Sequence, residues 1–275
     1  MNVCGRVVYD PQKEFSKGEN VVLIPNMPKK EDAIIKENYR KDSLFCSSST
    51  DGFMRNLIYI PNKRILPIKN IEPQIASLLE PISIVINAIE NFIQKSHQRR
   101  EKIGVWGCGI IGYITTLLLK KYFPNAEITI VGKNIEKLAY FSFADHILTN
   151  NQLKENTYFD HTFECVGGLG TSSAIEQMIE HIEPQGCISL LGVSEENVPI
   201  NTRSVLEKGL TILGDSRSGY EDFQKAVMLL QNKKIAQHIY NSISQTIEIK
   251  KIEDIHRAFS EDQNNYFKTV MRWEL

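Results

Sequence analysis

The sequence predicts an α/β protein whose central part is a doubly wound parallel sheet and whose first part is rich in β structure. From residue 103 onward, short apolar runs with many β-branched residues alternate with segments whose apolar residues recur at helical spacing. That alternation is typical of parallel strands joined by helices. Before residue 90 the apolar runs are short and are separated by polar turns, which indicates a set of short β-strands.

In the first region, β-branched runs that end near a turn or a proline predict strands at 7–9, 21–24 and 56–60. Residues 27–51 are polar and are interpreted as a long loop, with a helix over 31–39. Loops of this length in compact domains are often functional. The apolar spacing of 74–94 then predicts one or two helices that lead to the next region.

The second region follows a basic stretch, 95–102, which is interpreted as a solvated linker and not as a nucleic-acid patch. Its predicted strands are 103–106, 128–131, 145–148, 162–165, 187–191 and 210–213. Its predicted helices are 110–122, 135–143, 172–182 and 220–230. In the tail we expect a helix at 252–259 between strands at 246–249 and 268–273. The predicted domains are 1–90, 91–235, and a tail, 236–275, that returns to the first domain.

Composition excludes several classes of protein. The 275 residues are 42% hydrophobic and 24% charged, with a net charge of -1, so no global field attracts nucleic acid or an anionic membrane. No apolar run reaches the roughly 18 residues of a membrane span, and the first ten residues lack the pattern of a signal peptide. The five cysteines and six histidines lack the short spacings of a zinc knuckle or an HExxH motif. We expect a cytoplasmic protein without nucleic-acid or membrane partners.

The first motif that carries chemistry is GCGIIG at 107–112, which fits G-x-G-x-x-G. It follows one predicted strand and opens the next predicted helix, the context in which this motif binds a dinucleotide. In a Rossmann-type site the first glycine permits a tight turn, the second admits the pyrophosphate, and the third lets the helix pack on the sheet. The helix N-terminus offers N–H groups to the phosphates. We expect cofactor contacts from Gly107, Gly109, Ile110, Ile111 and Gly112; the alternative is a turn that binds no dinucleotide.

The residue after the second strand indicates which dinucleotide is bound. An NAD site usually has an acidic residue about 20 residues beyond the glycines, where it binds the ribose 2′-hydroxyl. Here that position is Gly132, followed by Lys133. A cation in place of the acid favours NADP over NAD, because it suits a 2′-phosphate. The alternative is a solvated lysine at the start of a helix.

Three further predicted strands end in small residues. Ligands of open α/β sheets bind at the carboxyl ends of the strands. We therefore expect the path from adenosine to nicotinamide to be lined by Val166, Gly167, Gly192 and Val193. Arg217 lies in the Gly/Ser-rich stretch 214–219, where a guanidinium could hold an anion such as a sugar phosphate. The alternative for Arg217 is a surface turn.

These motifs, in this order, resemble the medium-chain, zinc-dependent alcohol dehydrogenase superfamily. A Lys-Gly-Glu-Asn-Val-Val turn and strand, an Asp-Gly-Phe-Met element and Glu80-Pro81 precede the glycines. Several stretches are similar to one branch, the ribulose-5-phosphate reductases of CDP-ribitol synthesis: VVLIPNMP, SSSTDGFMRN, FSFAD, FDHTFECVGGLG, LLGVSEENVPINTRSVLEKGL, GDSRSG and FKTVMRW. The resemblance is collinear over nearly the whole chain. It implies a Rossmann domain together with a GroES-like β-barrel catalytic lobe.

The resemblance also shows where this chain departs from the family. Members carry several dozen residues before the position of Met1, including a zinc-ligand cysteine, and a His-Glu pair where this sequence has Met1 and Asn2. Glu80 alone still matches a zinc-contacting position, and one carboxylate cannot replace the roughly three protein ligands of a catalytic zinc. We therefore expect an N-terminally truncated lobe, zinc lost, and little reductase activity from this chain.

The first hypothesis is an NADPH-dependent ribulose-5-phosphate reductase. The resemblance implies that zinc polarises the C2 carbonyl of ribulose 5-phosphate and that the nicotinamide delivers hydride to that carbon. It also implies that Glu80 tunes or transiently ligates the zinc and that Arg217 orients the phosphate of the substrate. The ribitol 5-phosphate product would enter teichoic acids or capsules. Two alternatives stay open: an NADP-binding remnant that partners a full-length paralogue, and a zinc-free quinone-type reductase. We also expect a homodimer, with a cytidylyltransferase of the same pathway as a partner.

Overall fold

The computed structural model describes residues 3–274, and this part of the chain divides into two compact units. The first unit takes in the chain up to Ile84 and again from Arg217 onward, and the second unit is Val85–Ser216. These bounds differ from the expected domain at 91–235, because the helical segment after Arg217 packs with the first unit.

The first unit starts with small antiparallel sheets. Its elements up to the second unit are β1 (Cys4–Arg6), β2 (Asn20–Leu23), β3 (Asn26–Pro28), β4 (Ser43–Phe45), β5 (Ile65–Pro67), α1 (Pro73–Ala76) and α2 (Leu79–Lys95). Strand β2 lies between β1 and β5, and β3 pairs with β4. Helix α1 begins at Pro73, and proline is favoured at the first position of a helix. Helix α2 continues into the second unit.

Two predicted strands and one predicted helix of this unit are wrong. Residues 7–9 and 56–60 form no strand, and only Glu37–Tyr39 of the predicted helix 31–39 is helical, as a single 3₁₀ turn. Val7, Ile58 and Ile60 are instead half-buried against an apolar cluster around Val21 and Phe53. Their apolar character therefore reflects packing of irregular chain onto that cluster, which a sequence pattern cannot distinguish from strand pairing.

The second unit contains six parallel strands and their connecting helices. In chain order these are β6 (Lys102–Trp106), α3 (Ile110–Tyr122), β7 (Glu127–Gly132), α4 (Ile135–Leu138), β8 (His146–Thr149), β9 (Phe159–Glu164), α5 (Thr171–His181), β10 (Ile182–Leu190), α6 (Thr202–Lys208) and β11 (Thr211–Gly214). The order across the sheet is β8-β7-β6-β9-β10-β11, all in parallel register. This is the doubly wound Rossmann order. The predicted α/β fold class is confirmed.

The core of this unit lies on both faces of the sheet, as expected where helices cover a parallel sheet. Ile103, Val105, Ile128, Phe163 and Ile188 are fully buried at the centres of their strands. The chain reverses its progress across the sheet between β6 and β9. Ligands of such sheets bind at the carboxyl ends beside that reversal.

Two details of the second unit correct the sequence analysis. The predicted helix 135–143 ends at Leu138, four residues after its Asn134 cap, because Phe141 leaves the helix to pack against the ring of Tyr113. Helix α6 was not predicted. It is closed by Gly209 in the left-handed conformation, a common helix end.

The chain then returns to the first unit with α7 (Tyr220–Leu229), α8 (Lys233–Asn241), β12 (Ile243–Ile249), α9 (Ile252–Asn264) and β13 (Lys268–Trp273). Strands β12 and β13 pair in parallel, and apolar residues of α9 pack against them around Ile249 and Ala258. The predicted strands of the tail are confirmed, whereas α8 was not predicted. Within residues 3–274, no helix combines the length and apolar character needed to cross a membrane.

Candidate functional site

The glycine motif forms the turn between β6 and α3. Gly107 has a φ of 113°, which only glycine adopts readily, and a Cβ there would lie 2.5 Å from the carbonyl oxygen of Cys165. Gly112 lies in the first turn of α3, where a Cβ would overlap the carbonyl oxygen of Gly107. Both glycines are therefore required by the fold of the turn itself.

Gly109 differs from these two glycines. It caps α3 with an extended backbone, φ -83°, and a Cβ built there would meet nothing within 4 Å. It offers no side chain to cap the helix, so the first N–H groups of α3, including those of Ile110 and Ile111, lack the usual side-chain acceptor. Open space beside Gly109, at the N-terminus of a helix without a side-chain cap, fits a pyrophosphate. The residues present therefore fit a dinucleotide.

The end of β7 lies beside the same turn. A Cβ on Gly132 would lie 2.9 Å from the sulfur of Cys108, the second residue of the glycine motif. The main-chain N–H of Gly107 donates to the carbonyl of Val131 at 2.9 Å, which fixes the turn to this strand. Lys133 follows Gly132 and is exposed. The predicted lysine thus leaves the strand next to the predicted phosphate turn.

The loops after β9 and β10 are joined to each other by hydrogen bonds. Gly167 and Gly168 have φ of 69° and 57°, and the N–H of Gly168 donates to the carbonyl of Val193 at 2.8 Å. Val166 and Val193 are exposed, at 38% and 79%. The structure therefore brings together the predicted residues 166–167 and 192–193 at the carboxyl edge of the sheet.

Sequence reasoning missed the residue on which these two loops converge. Glu164, the last residue of β9, is fully buried, and its carboxylate accepts the N–H groups of Val166, Gly167 and Gly192 at 2.8–3.0 Å. A signal was available, because an acidic residue stands inside an apolar run predicted to be a buried strand.

The two predicted catalytic residues both lie in the first unit. Glu80 is the second residue of α2 and is half-buried, and this burial raises the pKa of its carboxyl group. The hydroxyl of buried Ser83 donates to the main-chain carbonyl of Glu80 at 2.7 Å and lies 2.7 Å from the hydroxyl of Ser218. Ser218 follows Arg217 directly, so the hydrogen bond between Ser83 and Ser218 connects the start of α2 to the Arg217 turn.

Arg217 has an unusual backbone and a defined side-chain contact. Its φ is 60°, a left-handed conformation that costs a non-glycine residue of order 1–2 kcal/mol. Its guanidinium carbon lies 4.8 Å from the centre of the Phe45 ring, in cation–π contact. Strained backbone of this kind is concentrated at functional sites.

The carboxylate of Glu37 lies at the start of α7, the helix that follows the Arg217 turn in the chain. Glu37 accepts two hydrogen bonds from Arg64, at 2.9 and 3.0 Å, and a third from the main-chain N–H of Tyr220 at 2.6 Å. A carboxylate at a helix N-terminus is stabilised by the helix dipole. Glu37 therefore fixes the start of α7, and with it the end of the Arg217 turn.

The described residues do not provide the set of ligands that zinc requires. Met1 and Asn2, onto which the family's His-Glu pair falls, lie outside the described residues. Among residues 3–274, no three His, Cys, Asp or Glu side chains are grouped as a metal site requires. Glu80 alone does not fit a zinc ion, which takes about four ligands.

Comparison with known proteins first defines the class. A family model described as zinc-binding dehydrogenase matches residues 111–232. L-idonate 5-dehydrogenase from Escherichia coli shares the fold, with a TM-score of 0.85 at 19% identity over 98% of this chain and 79% of that chain. Residues 111–232 thus match the zinc-binding dehydrogenase model, and the E. coli structure has the same fold as this chain.

More similar relatives define the family. Ribulose-5-phosphate reductase 1 of Staphylococcus aureus is 44% identical over 272 residues, which cover 98% of this chain and 80% of the relative. The ribulose-5-phosphate reductase of Bacillus spizizenii is 42% identical over 274 residues, with the same coverage. The crystal structure of S. aureus TarJ in complex with NADPH matches with a TM-score of 0.87 and 40% identity over 99% of this chain and 80% of that chain. The chain belongs to the ribulose-5-phosphate reductase family, as the sequence resemblance indicated.

Proposed function

We propose that this protein reduces the C2 carbonyl of D-ribulose 5-phosphate to give D-ribitol 5-phosphate, with NADPH as reductant. The observation that carries the proposal is identity of 42–44% to ribulose-5-phosphate reductases, extending over 98% of the chain. The glycine turn of the second unit supports the cofactor, because the space beside Gly109, at the N-terminus of α3, is open.

The second unit would hold NADPH, which supplies the hydride when bound. The turn from Gly107 to Gly112 would bind the pyrophosphate through main-chain N–H groups. Lys133, exposed beside that turn, would pair with the 2′-phosphate. Farther along the carboxyl edge of the sheet, the proposed contacts to the nicotinamide half are Val166, Gly167, Gly192 and Val193.

The first unit would supply the substrate contacts. Arg217 presents a guanidinium, which can bind a phosphate through two parallel hydrogen bonds, and its stacking on Phe45 restricts where that group points. Glu80 is proposed as the catalytic carboxylate, because the Ser83–Ser218 contact connects its turn of α2 to the Arg217 turn. The domain assignment, with a catalytic lobe and an NADP-binding Rossmann domain, is part of the same proposal.

The setting of the reaction is also proposed. Ribitol 5-phosphate is a substrate for activation to CDP-ribitol, so a cytidylyltransferase is the expected partner, and teichoic acid or capsule synthesis is the expected use. We further propose a homodimer in the cytoplasm. All five cysteines are free thiols, which suits a reducing compartment.

The test uses the purified chain. We expect NADPH to bind, and to be oxidised slowly by ribulose 5-phosphate but not by ribulose, because the described residues provide no set of zinc ligands. Tight NADPH binding without turnover would overturn the reductase proposal and favour an NADP-binding protein that acts with a partner. Oxidation of NADPH by a quinone, with ribulose 5-phosphate inert, would favour a quinone-type reductase instead.

Arg217→Gly provides a sharper version of this test. Glycine removes the guanidinium, and with it the cation–π contact, but it also adopts the left-handed backbone at φ 60° without strain. These two effects on the free energy of unfolding have opposite signs and offset each other. We expect the KM for ribulose 5-phosphate to rise at least about 10-fold while the free energy of unfolding changes by less than about 1 kcal/mol. An unchanged KM would remove Arg217 from the substrate site.

A further inference from the structure

The carboxylate of Glu164 is the point at which two loops of the second unit meet. Its Oε1 accepts the main-chain N–H groups of Val166 at 2.8 Å and Gly167 at 3.0 Å, and its Oε2 accepts that of Gly192 at 2.9 Å. Two of these donors follow β9 and one follows β10. The side chain is fully buried. All three donors are main-chain groups, so these bonds fix backbone positions.

The surrounding backbone is shaped to accept this carboxylate. A Cβ on Gly192 would overlap Oε2 of Glu164 and lie 2.5 Å from the nitrogen of Gly167. The absence of a side chain at Gly192 therefore lets the carboxylate and both loops come together. A buried carboxylate is costly unless its oxygens are hydrogen-bonded, and hydrogen bonds to an ionised acceptor are about twice as strong as neutral ones. The two loops are consequently held in one relative position.

We propose that Glu164 is a positioning residue for the cofactor, which sets the backbone at Val166–Gly167 and Gly192 to receive the nicotinamide half of NADPH. The inference rests on the proposed NADPH-dependent function. It goes beyond that function by assigning the geometry of these loops to a side chain that never touches the cofactor. The three donors are not among the residues proposed for the adenosine half, which are Gly107–Gly112 and Lys133.

The same strand contains a matched control. Asp160, near the start of β9, is also buried, and it accepts hydrogen bonds from Arg99 Nε at 2.5 Å and from the N–H groups of Glu101 and Lys102 at 2.9 and 3.0 Å. It therefore resembles Glu164 in burial and in its number of donors. It lies toward the amino end of β9, whereas ligands of parallel sheets bind at the carboxyl ends.

The experiment compares Glu164→Gln with Asp160→Asn in the full chain. Either orientation of the glutamine amide turns an NH₂ group toward at least one main-chain N–H, so part of the network is lost along with the charge. We expect Glu164→Gln to weaken NADPH binding about 10-fold and to leave the affinity for 2′,5′-ADP, which represents the adenosine half, within about 2-fold of wild type. Asp160→Asn should leave both affinities unchanged. Urea unfolding of each variant reports the stability cost separately.

The outcomes separate this inference from the proposed function. If the wild type binds no NADPH, the proposed function and the positioning role of Glu164 are both refuted. If the wild type binds NADPH and Glu164→Gln binds it equally well, or loses 2′,5′-ADP to the same extent, the positioning role is refuted. Glu164→Asp, which keeps the charge but shortens the reach, is the second variant and should also weaken NADPH selectively. Failure of both variants to fold would overturn the proposal, because Glu164 would then be a requirement of the fold.

Discussion

Gly107 and Gly109, two residues apart, should respond to the same substitution in opposite ways. At Gly109 the φ of -83° suits any residue and a Cβ meets no protein atom within 4 Å. At Gly107 the φ is 113° and a Cβ would lie 2.5 Å from the carbonyl oxygen of Cys165. The fold therefore requires glycine at position 107 but not at position 109. If a bound cofactor is what requires glycine at position 109, Gly109→Ala should weaken cofactor binding and leave folding intact.

The expected magnitudes follow from these geometries. Gly109→Ala reduces the entropy of the unfolded chain but makes a poorer helix cap, and these effects of about 0.5–1 kcal/mol oppose each other. We expect its free energy of unfolding to stay within about 0.5 kcal/mol of wild type. A methyl group in the path of a pyrophosphate should cost about 1–3 kcal/mol, roughly 5- to 150-fold in the Kd for NADPH. Gly107→Ala combines backbone strain with a steric clash and should lose about 2–5 kcal/mol of stability.

Urea unfolding without cofactor measures the free energy of unfolding, and fluorescence titration with NADPH measures the Kd. Both variants are compared with wild type under the same conditions. Wild-type affinity in Gly109→Ala would refute the assignment of the open space to a phosphate. A stability loss in Gly109→Ala as large as that in Gly107→Ala would show that the steric reasoning about this turn is wrong.

Three further predictions test other parts of the molecule. Lys133→Ala should weaken NADPH about 10-fold and leave NADH unaffected, and equal losses for both cofactors in titrations would exclude a 2′-phosphate contact. Arg217→Lys, which keeps the charge but not the bidentate fork, should raise the KM for ribulose 5-phosphate in steady-state assays without changing the Kd for NADPH; an unchanged KM would argue against bidentate binding. Buried His161 accepts the Cys187 N–H through Nδ1 at 3.1 Å, and burial lowers the pKa of its imidazole from 6.5 to about 4. A lowered histidine pKa contributes stability that is complete above pH 6.5 and is lost as the pH falls toward 4. Urea titrations should therefore give a free energy of unfolding about 2 kcal/mol lower at pH 5 than at pH 7. The same loss in His161→Gln would contradict the assignment of this loss to His161.

The sequence allowed most of the second unit to be predicted. The six strands and helices α3, α4 and α5 between residues 103 and 214 were located from apolar spacing, because each parallel strand is buried on both faces and each helix on one; α6 was missed. The glycine turn was equally readable, because the positive φ of Gly107 and the close approach of Gly112 to the Gly107 carbonyl oxygen are properties of the local chain. The first unit was predicted less well, because its strands are only three or four residues long before α1. Such short strands are stabilised by partners distant in sequence, and the pattern of an isolated run does not identify them.

The sequence by itself determined the class of fold, the position of the phosphate turn and, through resemblance, the family. Only the tertiary structure showed that Glu164 joins the loops after β9 and β10, and that the turns of Glu80 and Arg217 are connected through Ser83 and Ser218. The reason is physical. Helical periodicity and glycine conformation are set by neighbours within a few residues, so they leave a local pattern. A buried hydrogen bond between Glu164 and Gly192, 28 residues apart, leaves none, because its donor and acceptor meet only after the sheet has formed.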